Sequence, residues 1–105
     1  SSGQEENETI FVCPSLKDEL NIFGTGSITC YNPTYSIIYN DRGITSIKDV
    51  NVSSFNLKNY GILSKELYIT NSDIRLNCLE PEINNMAIFS YKTELRNSYL
   101  NITNL

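Results

Sequence analysis

Residues 60–76, YGILSKELYITNSDIRL, and residues 86–102, MAIFSYKTELRNSYLNI, superimpose at an offset of 26 positions. Ile62 falls on Ile88, Ser64 on Ser90, Ile69 on Leu95 and Asn71 on Asn97. Ser72 falls on Ser98, Ile74 on Leu100 and Leu76 on Ile102. The matches occupy the apolar and corner positions, and such self-similarity marks a repeat architecture. A unit this short cannot bury its own apolar side. Successive units must therefore stack and share one core.

Weaker copies lie upstream. Leu20-Asn21-Ile22-Phe23-Gly24 matches Leu67-Tyr68-Ile69-Thr70-Asn71, and Ile28-Thr29-Cys30 matches Ile74-Arg75-Leu76 after one inserted residue. Gly24 and Asn71 share a corner for one reason: both residue types tolerate the left-handed backbone region. Gly43-Ile44-Thr45-Ser46 echoes Gly61-Ile62-Leu63-Ser64, which makes Gly43 and Gly61 turn glycines, while Val50, Val52, Phe55 and Leu57 supply strands between. Asn71 and Asn97, at equivalent corners, suggest a stacked amide ladder.

Within each copy apolar residues alternate with period two, as in Leu67-Tyr68-Ile69 and Ile74-Arg75-Leu76-Asn77-Cys78. That places Tyr68, Arg75 and Asn77 on the outside. Helical spacing of three and four is missing. The only helix candidate is one turn at Pro14–Leu20. Residues 79–85 and 31–35 read as loops. The expected fold is all-β: a short parallel solenoid of about four irregular coils. The rival is an antiparallel immunoglobulin-like β-sandwich, which also suits short strands at regular spacing but lacks its core Trp here. Residues 1–9 read as a flexible polar leader and 10–105 as a single β-rich repeat domain. The leader resembles the tether behind the lipidated cysteine of a bacterial lipoprotein, or an expression-tag remnant.

The run Leu20-Asn21-Ile22-Phe23-Gly24-Thr25-Gly26-Ser27-Ile28-Thr29-Cys30, followed later by Gly61-Ile62-Leu63-Ser64 and Leu67-Tyr68-Ile69, resembles the pectate-lyase type of right-handed parallel β-helix. It is most similar to the bacterial surface domains of that group described as carbohydrate-binding. The resemblance spans about residues 20–102 and implies a right-handed coil and a polysaccharide or cell-surface ligand. The chain departs from that pattern in carrying only five glycines, and no ligand residue of the family maps onto a position here.

Charge and composition exclude other functions. The net charge is −4 and the eight basic residues are scattered singly, so no cationic face exists to displace counterions from nucleic acid. No apolar run approaches the roughly 18 residues of a transmembrane helix. Without histidine, Ser/His/Asp and Cys/His catalytic sets cannot form. Glu80 and Glu82 flank Pro81 in one loop, not two walls of a cleft. The chain is therefore expected to be no enzyme and to need no cofactor. A structural Ca²⁺ is the one ion that Asp41, Asp49, Asp73, Glu80 and Glu82 could serve. Cys13, Cys30 and Cys78 lack paired-ligand spacing. They read as small buried residues, or as one disulfide, Cys13–Cys30.

The outward face of the last two coils is the expected ligand surface, carrying Tyr68, Asp73, Arg75, Glu94, Arg96 and Tyr99. Tyr offers a sugar both a ring face and a hydroxyl. Arg and Asp make bidentate hydrogen bonds. The same side chains would also serve as cross-coil pairs that only stabilise the sheet. The functional expectation is an extracellular, secreted or surface-anchored carbohydrate-binding module. The alternatives are a fibre or adhesin subunit stacking end to end, since solenoid ends expose strand edges, and an immunoglobulin-like protein-binding domain.

Overall fold

The computed structural model describes residues 11–12, 19–33, 35–80 and 87–104. Every regular element among them is a strand. These are β1 (Phe11–Val12), β2 (Glu19–Tyr31), β3 (Ile38–Leu57), β4 (Ile62–Thr70), β5 (Asp73–Cys78), β6 (Ile88–Phe89), β7 (Lys92–Arg96) and β8 (Tyr99–Asn104).

All strand pairings are parallel and join one coil to the next. The chain is thus a parallel β-solenoid. Parallel pairing throughout rules out the antiparallel sandwich. Phe11, Ile38, Ile62 and Ile88 stand in register, which stacks four layers: 11–12 with 19–31, then 38–57, 62–78 and 88–104. The long strand β3 runs through all three faces of its coil. Face A holds 38–40, 62–64 and 88–89 with β1. Face B holds 19–23, 44–48, 66–70 and 92–96. Face C holds 26–31, 50–57, 73–78 and 99–104.

The alternation read from the sequence places the columns. Ile22, Ile47, Ile69 and Leu95 stack inward on face B. Ile28, Val52, Ile74 and Leu100 stack inward on face C. Ile38, Val52, Leu57, Ile62, Leu67, Ile74 and Leu76 are fully buried. Each such side chain contributes roughly 1.5–3 kcal/mol of burial. The offset of 26 holds between coils three and four at Ile62/Ile88, Ile69/Leu95, Ile74/Leu100 and Leu76/Ile102.

Coil lengths differ because insertions sit at corners. Asn40 pairs with Ser64 and Ile44 with Glu66, so Asp41, Arg42 and Gly43 face only Lys65. The echo between Gly43 and Gly61 is therefore a false match. Gly61 lies opposite Ile37 and Ala87 through backbone hydrogen bonds. Its need is space: a Cβ there would stand 2.8 Å from the Ala87 carbonyl oxygen and 3.2 Å from Leu57. The expected insertion between Phe23 and Ile28 is present, as a register shift between Phe23 and Gly26. Phe55 points outward at 44% exposure.

Left-handed corners follow face B. Gly24, Asp49, Asn71 and Asn97 have φ of 125°, 59°, 49° and 51°, conformations that Gly, Asn and Asp reach most cheaply. Asn97 Nδ2 donates to Asn71 Oδ1 at 2.7 Å. Beside it runs a hydroxyl column. The Val50 N–H donates to Ser72 Oγ and the Ser72 N–H to Ser98 Oγ, both at 3.1 Å. A second amide stack closes the end of face C, where Asn56 Nδ2 donates to Asn32 Oδ1 at 2.7 Å and both residues have positive φ.

Cys30 is free and buried, as in the reading of the cysteines as small buried residues. It fills an inward position in the column Cys30–Ser54–Leu76–Ile102. Cys78 is likewise free and buried, and burial raises both thiol pKa values. Cys13, the leader at 1–9 and most of the one-turn helix candidate lie outside the described residues.

Ser54 is 1% exposed, and its hydroxyl has no hydrogen-bond partner. An unpaired buried hydroxyl costs about 1–3 kcal/mol. Ser54→Ala should therefore raise the unfolding free energy by roughly 1 kcal/mol, seen as a higher urea midpoint. An unchanged or lower midpoint would show that the hydroxyl is satisfied.

Candidate functional site

The outward residues of each face are fixed by the same alternation that fills the core. Tyr68 and Glu94 are register neighbours on face B, and Thr70 pairs with Arg96. These four residues and Ile69 line a shallow cavity of about 210 Å³. Two of its polar groups are engaged by neighbours on the same strands. The Tyr68 hydroxyl donates to Glu66 Oε1 at 2.5 Å. Lys92 Nζ lies 5.7 Å from the Tyr68 ring centroid and 3.2 Å from Glu94 Oε2. The bond to Glu66 raises the Tyr68 pKa, and the bond to Glu94 raises that of Lys92. Tyr68 is therefore held as a neutral donor and Lys92 as a cation.

The other expected residues stand on face C, beyond the Asn71/Asn97 corner. Asp73 pairs with Tyr99, and Arg75 with Asn101. Arg75 Nη2 and Asp73 Oδ2 are 3.7 Å apart at an exposed position, an ion pair of small energetic weight. The six expected ligand residues thus form two clusters, one on each side of a corner.

A larger groove was not expected from the sequence. Ser53, Ser54, Phe55, Arg75, Leu76, Asn77, Asn101 and Thr103 line a cavity of about 470 Å³ on face C. One wall is aromatic: Tyr31 stacks on Phe55 with centroids 5.2 Å apart and an interplanar angle of 13°. In the next two layers the outward positions hold Asn77 and Thr103 instead of rings. The aromatic stack therefore stops at Phe55, and the groove opens where a third ring would lie. Asn77 Oδ1 accepts from the Asn56 N–H at 3.4 Å, and its Nδ2 donates to Thr103 Oγ1 at 3.2 Å. Among the described residues that line the groove, Arg75 is the only charged one.

The alternation Val50, Val52, Ser54 should have revealed Phe55 as outward. A serine in a core position and a register shift between Ser54 and Leu57 disguised it. A second aromatic patch lies on face A. Tyr39, Leu63 and Phe89 form an outward column, and Phe89 contacts Tyr60 and Tyr91 with centroids 5.9 and 6.0 Å away.

Among the described residues, no three Asp, Glu or Cys side chains gather as a metal site, and no helix is long and apolar enough to cross a membrane. Glu82, one of the carboxylates considered for Ca²⁺, lies outside the described residues. No family model, curated protein or solved structure matches the chain.

The Glu66 bond stabilises the neutral phenol of Tyr68, so its contribution is present below the ordinary tyrosine range near pH 10 and lost as pH rises through the raised value. Glu66→Gln should move one phenol to lower pH in the tyrosinate absorbance titration. A curve superimposable on wild type would show that the bond does not hold Tyr68.

Proposed function

We propose that the chain is a non-catalytic binding module and that its ligand is a polysaccharide lying in the face C groove. The single supporting observation is the aromatic stack that ends at Phe55 above a cavity lined by Arg75, Asn77, Asn101 and Thr103. A pyranose ring has an apolar face that can continue such a stack. Its hydroxyls match carboxamide, hydroxyl and guanidinium groups around it. The cavity lies within the range typical of small-ligand sites.

A binding role without chemistry also accords with the ionisable groups described. Tyr68 and Lys92 are both pushed further from changing charge near neutrality. The Cys30 and Cys78 thiols are buried and shifted away from thiolate. General bases and nucleophiles need the opposite shifts. We propose that this polysaccharide belongs to a cell surface or matrix, with the module secreted or surface-anchored.

The test is a glycan array followed by calorimetric titration with the strongest binder. A stacking contact is worth about 1 kcal/mol, so Phe55→Ala should weaken binding by roughly 5–10-fold. Arg75→Ala should weaken it comparably, and Tyr39→Ala on face A should leave it unchanged. Retention of no polysaccharide, or binding indifferent to both groove variants, would refute the proposal.

A further inference from the structure

We infer that face A docks a proline-rich segment of a partner protein, bound as a polyproline helix along the solenoid axis with an acidic residue beside the prolines. Three observations carry this.

The first is the patch itself. Tyr39, Leu63 and Phe89 form one outward column. Tyr60, from the corner before face A, and Tyr91, from the corner after it, both contact Phe89. Tyr39, Phe89 and Tyr91 are 42%, 47% and 79% exposed. Alternation turns the column sideways out of the coil, so the stacking of layer on layer does not cover it. Exposed apolar patches of this kind mark interaction surfaces.

The second is the hydrogen-bonding character of the patch. The hydroxyls of Tyr39, Tyr60 and Tyr91 have no partner among the described residues. The surface therefore offers ring faces and free donors. A polyproline helix makes no internal hydrogen bonds, and proline has no N–H. Such a segment brings apolar rings and unpaired carbonyls, and aromatic-lined surfaces are its usual receptors. An α-helix has already used its carbonyls internally. Sugar hydroxyls are better matched by the carboxamides of face C.

The third is spacing and charge. Tyr39 and Phe89 stand two layers apart in one column, which is roughly 9.6 Å. One turn of a polyproline helix, three residues, advances about 9.3 Å. Prolines three positions apart thus fall on Tyr39 and Phe89, with Leu63 between them. An extended strand repeats every two residues, about 6.8 Å, and falls out of step. At the corner after face A, Arg42 lies opposite Lys65, whose carbonyl accepts from the Tyr91 N–H at 3.0 Å. Both cations are exposed, and neither has an acidic partner among the described residues. Asp41 shares this corner, and the corner stays net positive. That charge complements an acidic residue just beyond the prolines.

The face C groove takes no part in this contact, so the inference is independent of the polysaccharide reading.

The test is a titration of isotope-labelled protein, followed by amide chemical shifts. The probe is a synthetic peptide of two Pro-x-x-Pro repeats ending in a pair of glutamates. Shifts should gather at Tyr39, Leu63, Phe89 and Tyr91 and spare Arg75, Asn77 and Asn101. The same peptide with alanine for every proline should leave the spectrum unchanged. Tyr39→Ala and Phe89→Ala should each weaken binding by about fivefold. Both side chains are exposed, and a retained amide spectrum checks each variant's fold. Arg42→Glu should weaken the glutamate-tailed peptide and spare one tailed with glutamine. The inference is overturned if the peptide moves no amide at millimolar concentration, or if the shifts fall outside face A. It is equally overturned if the alanine peptide binds as well, or if Arg42→Glu does not separate the two tails. Cellohexaose shifting these amides where the peptide fails would assign the face to a sugar instead.

Discussion

The in-register parallel pairing of each coil on the next is the constraint on which the whole molecule rests. Layers so paired are about 4.8 Å apart. Each residue thus meets the residue one coil away at close to van der Waals distance, and every column must be compatible with itself. Inside, the columns are mostly Ile, Leu and Val. At the corners they are Asn and Ser, whose carboxamides and hydroxyls bond from layer to layer. Outside, they include stacked rings and the register pair Glu66/Lys92. One net backbone hydrogen bond contributes only about 0.5–1.5 kcal/mol. The pairing also decides which side chains are buried, and each buried Ile or Leu stabilises the fold by more than that, about 1.5–3 kcal/mol.

This dependence explains which parts of the architecture were legible in the sequence. Coils three and four keep one offset of 26 across all three faces, so their apolar and Asn-Ser positions superimpose directly. Coil two carries Asp41-Arg42-Gly43 where coil three has Lys65, which shifted the apparent repeat and produced the false Gly43/Gly61 echo. Asn71 and Asn97 were recognisable because a corner asparagine recurs after the same alternation. The Asn32/Asn56 stack was hidden because Asn32 precedes Pro33 and looks like an ordinary loop. Buried polar residues also broke the pattern. Asn40, Thr45 and Ser64 lie inside the coil and bond to one another, and Ser54 occupies a core position beside the outward Phe55.

The surface was less legible than the core, for a physical reason. Alternation says that a residue points outward but not which of three faces it stands on. Tyr68, Glu94 and Arg96 share face B, where Glu66 and Lys92 already engage Tyr68 and Glu94. Arg75 belongs instead with Phe55, Asn77 and Asn101 on face C. The side of the coil offers a groove beside an interrupted aromatic stack.

Nuclear Overhauser contacts between backbone protons of successive layers interrogate the coil-on-coil stacking most directly. In labelled protein, the strands holding Ile69 and Leu95, and those holding Ile74 and Leu100, should give the staggered amide-to-Hα contacts of a parallel pair. Contacts typical of antiparallel neighbours, or none between residues 26 apart, would mean that the layers do not lie on one another as described.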